Sequence, residues 1–501
     1  MAELTDLRTA ASLLEWDQQT MMPPHGAPER AETLATLERI SHDMFTAAET
    51  GRLLEQAAAE VEGEPEASDD VCLVRVVHRR WEKARRVPTE LAAGLARAAS
   101  VGHAAWITAR ASSDFDAFAP YLEHNLELAC RYVDCFDEFD CAYDALLDDY
   151  EPGIKTSHVA SLFSELKAEL LPLITTLGEH EDRVDDSCLR GRFPVPLQRA
   201  LVEEVVTRMG FEAGSWRIDD AVHPFASGFG SSDVRITTRW DESFVPSGLY
   251  SAMHECGHGL YEAGIASSLA RTPLGHAESL GLHESQSRMW ENMVGRSRAF
   301  AGVLAPRIAA LFGDGVGECA EPATLFRAVN RVKPSFIRVE ADEATYSLHI
   351  ILRFELEQAL IEGRVAVREL PEVWNALTKE YLGLDVADDA QGVLQDVHWS
   401  GGSIGYFPTY ALGNLIAGQL WERAHAELPD LDDQIGAGEL MGLREWLREN
   451  VHRHGAKFST TELLGRVVGG PIAVGPFVAY LKDKLSDVYR LELRALAPSG
   501  R

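Results

Sequence analysis

The stretch "SAMHECGHGL", residues 251 to 260, holds two histidines four positions apart with a glutamate directly after the first. On an α-helix, residues four apart project from one face, so the imidazoles of His254 and His258 can reach a single cation while Glu255 lies beside them. The pattern is that of a zinc site with its own general base. Tetrahedral catalytic zinc needs a third protein ligand and an open position for water. The segment "GHAESLGLHESQSRMWENMVG" offers Glu284, 26 residues after His258 and opening a helical run. Glu278 and Glu291 are rivals that spacing does not exclude, and His276 and His283 are weaker candidates, suited to a hydrogen-bonded role behind a ligand.

These residues need a helix to position them. Pro246 and Ser247 can open one, and Leu249, Met253 and Leu260 can supply its apolar packing. Gly257 and Gly259 are poor helix residues, each costing up to about 1 kcal/mol relative to alanine, so their presence points to close packing beside the site. Cys256 faces away from the histidines and is expected in the core. Around this helix the pattern is helical almost throughout. Residues 27 to 109 carry apolar residues at three- and four-residue intervals, and further helices are expected in "DCAYDALLDDYEPG", "SHVASLFSELKAELLPLITTL", "PVPLQRALVEEVVTRMG" with Gly210 as its stop, and "DEATYSLHIILRFELEQALIEG". The texture changes only near residues 216–240, where "DVRITTR" reads as a short strand, and near 335–340, where "PSFIRVE" suggests a second. The expected fold class is therefore mainly α with a small β element, in one helical unit over residues 1–501, with two lobes as its subdivision.

Composition narrows the function classes. Of 501 residues, 46% are apolar and the net charge is −31, so nucleic acid and anionic membrane surfaces are not expected partners. No run of eighteen uncharged apolar residues exists, and the acidic start "MAELTDLRTAASLLEWDQQT" does not read as a signal peptide, which gives a cytoplasmic expectation. The seven cysteines are spread thinly, as free thiols would be in a reducing compartment; Cys130, Cys135 and Cys141 lack the paired spacing of zinc sites and are expected as buried helix residues.

Beyond the local chemistry, "HECGH" followed by "HESQSRMWEN" occurs with "HPF" at 223–225, "DVRIT" at 233–237, "IRVEAD" at 337–342 and "LQDVHWSGGSIGYFPTYALGN" at 394–414. With "LLEWDQQTMMPPHGAPERAETLATL" and "YDALLDDYEPG", this set resembles the carboxypeptidase Taq family of zinc metallocarboxypeptidases over essentially the whole chain. The resemblance implies a mostly helical fold with a deep groove, similar to thimet oligopeptidase and angiotensin-converting enzyme. It implies zinc on His254, His258 and Glu284, with cobalt or manganese able to substitute, and Glu255 as the base that takes a proton from water and passes it to the leaving amine. His398, Tyr406 and Tyr410 are the implied donors to the oxyanion, and Arg338, then Arg235, the implied readers of a substrate's terminal carboxylate. His223 is a candidate substrate-binding residue near the groove, with a structural hydrogen bond to the neighbouring turn as the alternative. The activity expected is release of single residues from peptide C termini with broad specificity, by a homodimer; the alternative is an oligopeptidase or dipeptidyl carboxypeptidase with the same zinc chemistry.

Overall fold

The computed structural model describes residues 1–497, which are mainly α-helical with one small sheet. Two compact units share the chain. The first takes Met1–Arg85, Asp186–Val329 and Gln419–Pro471; the second takes Arg86–Asp185, Asn330–Gly418 and Ile472–Arg501.

In the first unit, Val195–Met209 forms a helix that ends where expected, with Gly210 at φ 118° and the N–H bonded back to Val206 and Thr207. The sheet follows: β1 (Trp216–Asp220), β2 (Ala226–Gly228) and β3 (Val234–Thr238), with β3 central, parallel to β1 and antiparallel to β2. Ile236 and Val234 of β3 are fully buried. Against this sheet lies the Val245–Gly264 helix, opened by Pro246 and bearing the "HECGH" residues. The two glycines do what their helix cost suggested. A Cβ at Gly259 would stand 2.4 Å from the Trp216 ring, and one at Gly257 would stand 2.7 Å from Ser287 Cα, so the helix touches the sheet on one side and the Leu280–Arg288 helix on the other. Cys256 is fully buried, in line with its expected place in the core.

In the second unit, Thr89–Ser112 and Phe115–Val133 are joined by Ser113 in left-handed conformation and Asp114, whose carboxylate caps the second helix at Ala117 N–H. The Tyr346–Ile361 helix is buried along most of its length, although Arg353 and Glu357 lie on it one turn apart with no exposed surface.

Three local expectations fail. "PSFIRVE" is not a strand: the Arg338 N–H donates to Gln395 Oε1 and the backbone turns through Glu340 N–H to Ile337 O, so the apolar alternation serves a loop packed on side chains rather than a ladder. Cys130, Cys135 and Cys141 are not buried; Cys130 is exposed near the end of its helix, Cys135 follows that helix, and Cys141 stands immediately before the next one. Cys188 and Cys319 are not free thiols but a disulfide, linking segments 131 residues apart.

Candidate metal centre and associated side chains

His254, His258 and Glu284 converge in the first unit, with one ligand atom from each inside a 4.8 Å cluster. Glu284 Oε2 stands 3.3 Å from His258 Nε2 and 3.7 Å from His254 Nε2. Ligand atoms on a tetrahedral zinc, each about 2.1 Å from the ion, lie about 3.4 Å apart, so the donor set and its spacing fit such a cation.

Each of these three side chains, which could hold a cation, is held from behind. Glu284 Oε1 accepts from Arg288 Nε at 2.7 Å, and Ser287 Oγ donates to Oε2 at 3.1 Å. Burial raises the Glu284 carboxyl, but Arg288 and the two histidines more than offset it and hold the group well below the usual carboxylate range. His254 Nδ1 meets Glu291 Oε2 at 2.9 Å, and Arg296 secures the other Glu291 oxygen at 2.9 Å. His258 Nδ1 lies 2.5 Å from His283 Nδ1, whose Nε2 lies 2.9 Å from Glu262 Oε1. With Nε2 of each ligand presenting a lone pair, His254 Nδ1–H donates to Glu291 and His258 Nδ1–H donates to His283, which in turn donates to Glu262. Burial pushes His258 down to about 4, which keeps the ring neutral.

Glu291 is thus the carboxylate behind His254. It sits on the π-helical turn Met289–Val294 that continues the Glu284 helix. The other rival, Glu278, spends both oxygens on Arg79 and Arg80. His276 approaches Glu262 at 3.8 Å. Glu255 is buried beside His254; desolvation pushes its carboxyl up to about 7, while His254 draws it down. Sequence reading missed Arg288, whose position four residues after Glu284 was the available signal. Arg296 and Glu262 carried no comparable signal.

The remaining candidates fall into other settings. In the second unit, His398 Nε2 lies 3.1 Å from the Tyr410 hydroxyl, and the rings of His398 and Tyr410 each have their centroid 5.3 Å from that of Tyr406 for His398–Tyr406 and Tyr406–Tyr410. Burial lowers His398 to about 3 and leaves it a neutral donor or acceptor. Arg338 is buried in the same cluster: Nε and Nη2 donate to Asp396 Oδ1 at 3.0 and 2.8 Å, Nη1 donates to Tyr346 at 2.9 Å, and its guanidinium lies 4.8 Å from the Tyr410 ring centre. Arg353 holds the second Asp396 oxygen at 2.6 Å. Arg235, in the first unit, pairs with Asp233 and stacks on Trp16 and Phe229. His223 is exposed on the loop between β1 and β2.

Residues 1–485 match the carboxypeptidase Taq (M32) metallopeptidase family. Among relatives, Thermostable carboxypeptidase 1 of Thermus thermophilus is 40% identical over 500 residues, covering 97% of each chain. Carboxypeptidase 1 of Bacillus subtilis is 36% identical over 491 residues, covering 96% of each. The crystal structure of an M32 carboxypeptidase from Deinococcus radiodurans R1 superposes with a TM-score of 0.94 at 37% identity, covering 98% of each chain.

Proposed function

The chain belongs to the carboxypeptidase Taq (M32) metallopeptidase family, and from that premise we propose how this metallocarboxypeptidase works. It releases single residues from the free C termini of peptides, with zinc held by His254, His258 and Glu284. The observation that carries this reading is the convergence of two imidazole nitrogens and one carboxylate oxygen, each fixed from behind by Glu291, His283 or Arg288. That neutral, neutral and anionic donor set suits zinc and also accommodates cobalt or manganese. When bound there, the ion acidifies water and polarises the scissile carbonyl.

The chain's own residues do the rest. Glu255 accepts a proton from water and returns it to the departing amine; a dication beside it favours the charged base against the burial that raises its pKa. His398, Tyr406 and Tyr410 donate to the oxygen on which charge develops. Arg338 reads the terminal carboxylate, with Arg235 the second choice. Three of the five Arg338 N–H groups are engaged by Asp396 and Tyr346, which fixes the fork and leaves one N–H on each terminal nitrogen. His223 is kept as a residue at the rim of the substrate site.

We also propose that residues 1–501 act as one catalytic domain, and that the enzyme is a cytoplasmic homodimer, the state the family resemblance implies. Among the described residues no helix is long and apolar enough to cross a membrane. Incubation with a free-acid peptide and its C-terminally amidated twin, followed by mass analysis of products, tests the activity. Stepwise loss of single residues from the free acid alone is expected; release of dipeptides, or equal cleavage of the amide, would refute it. Metal content and sedimentation check the zinc and the dimer.

A further inference from the structure

We infer that Glu357 is a positioning residue for catalysis, gripping the loop 398–407 at both ends and thereby setting where His398 and Tyr406 stand. The inference rests on the role proposed above for His398, Tyr406 and Tyr410. The loop opens in a short 3-10 turn, His398–Gly401, closed by Gly402 N–H to Trp399 O and Ser403 N–H to His398 O. Gly402 and Gly405 follow with φ of 71° and 93°, in the region only glycine enters freely. Side chains from outside the loop fix where this turn and the segment after it stand.

Glu357, with no exposed surface, spends one oxygen on each end. Its Oε1 accepts from Trp399 Nε1 at 2.7 Å, next in sequence to His398. Its Oε2 accepts from Gly405 N–H at 3.0 Å, next to Tyr406, and from the Tyr143 hydroxyl at 2.5 Å. Asn125 adds a second hold by donating to the carbonyls of Trp399 and Ser400 at 2.9 and 3.0 Å. The backbone at Gly405 also packs against Leu146, where a Cβ would stand 2.8 Å from the carbonyl carbon.

The chemistry of Glu357 exceeds what packing needs. A leucine or methionine would fill the space but strand three donors, while a glutamine offers a single acceptor oxygen and turns its own N–H groups toward them. Only a carboxylate satisfies all three from two atoms. Burial works against that choice, pushing the carboxyl up to about 7, and the three donors with Arg353 hold it down to that point. The function proposed for the loop explains why such a group stands there.

The test uses the full-length, metal-loaded enzyme and the variant Glu357→Gln. Because a misplacement of about 1 Å near reacting atoms can cost about a hundredfold in rate, kcat should fall about ten- to hundredfold, with KM within about threefold and metal content unchanged. A purely structural defect would add independently to other lesions. A positioning role would not: on a His398→Ala, Tyr406→Phe background, Glu357→Gln should lower kcat by less than about threefold further. Should Glu357→Gln fail to fold, Trp399→Phe, which removes one of the three bonds, is judged by the same two criteria. Normal kcat in the folded variant, or a fully multiplicative loss on the His398→Ala, Tyr406→Phe background, would overturn the inference alone. Unchanged kcat in His398→Ala, Tyr406→Phe and Tyr410→Phe would overturn the reading of the loop itself, and the inference with it.

Discussion

Glu291→Gln separates a metal ligand from the carboxylate that steadies one. In the structure Glu291 Oε2 accepts from His254 Nδ1 and Oε1 accepts from Arg296, so the substitution keeps the shape but removes the charge that holds the imidazole in orientation. Partners of this kind are worth about ten- to a hundredfold in metal affinity, or about 1.4 to 2.7 kcal/mol. Glu284→Ala deletes an atom of the cluster itself and should cost far more. Glu278→Ala touches neither, since its oxygens serve Arg79 and Arg80, and should lower stability while leaving affinity within about threefold. Competition with a chromophoric chelator measures all three, and cobalt substitution adds a visible spectrum that reports ligand geometry. The reasoning fails if Glu291→Gln binds metal as tightly as the parent, or if Glu284→Ala is no worse than Glu291→Gln.

Glu255→Gln should keep its metal and lose about 10²- to 10⁴-fold in kcat, whereas His258→Ala should lose the metal; stoichiometry and turnover measured on both decide it. Arg338→Lys keeps the charge but loses the fork, and should depress kcat/KM on free-acid peptides about thirty- to a hundredfold; a loss confined to Arg235→Lys would move the role there. Glu357 holds a proton more tightly when folded, near 7 against the ordinary 4.5, so its contribution to stability is fully present below about pH 4.5 and is lost as pH rises through 7. Relative to Glu357→Gln, the parent should therefore lose about 3 kcal/mol between those limits, read by denaturant titration at several pH values. With a net charge of −31, the melting temperature should rise modestly from low to molar concentrations of a non-specific salt; a flat or falling curve would show that self-repulsion does not limit stability.

The helix bearing His254 and His258 was legible because its information is local. Histidines at i and i+4, a proline at the start and glycines at the contact face all act within a few turns, and the structure returns that helix at Val245–Gly264. Local spacing favoured Glu284 but did not exclude Glu278 or Glu291, whose partners are an arginine pair from a helix some two hundred residues earlier for the first and a histidine 37 residues earlier for the second. The same limit hid Glu357, whose three donors come from residues 143, 399 and 405. "PSFIRVE" failed for a related reason: a strand needs a partner, and alternation does not reveal whether one exists. The Cys188–Cys319 pairing likewise joins positions that no spacing rule connects.

The first unit is assembled from three stretches of chain, and that arrangement sets the order of events during synthesis. The metal helix is complete at residue 264, yet Gly264 packs beneath His452, and His452 bonds Gln286 on the neighbouring helix across 166 residues. At about 5 to 20 residues per second, the ribosome needs roughly ten to forty seconds to supply those last partners. Once residue 284 has been added, the nascent chain carries His254, His258 and Glu284 without the residue that packs on Gly264 and bonds Gln286. A chain stopped short of residue 452 should therefore leave the ribosome with these three residues and the side chains behind them present but the contact that ties their two helices together missing, a substrate for chaperones rather than a smaller enzyme.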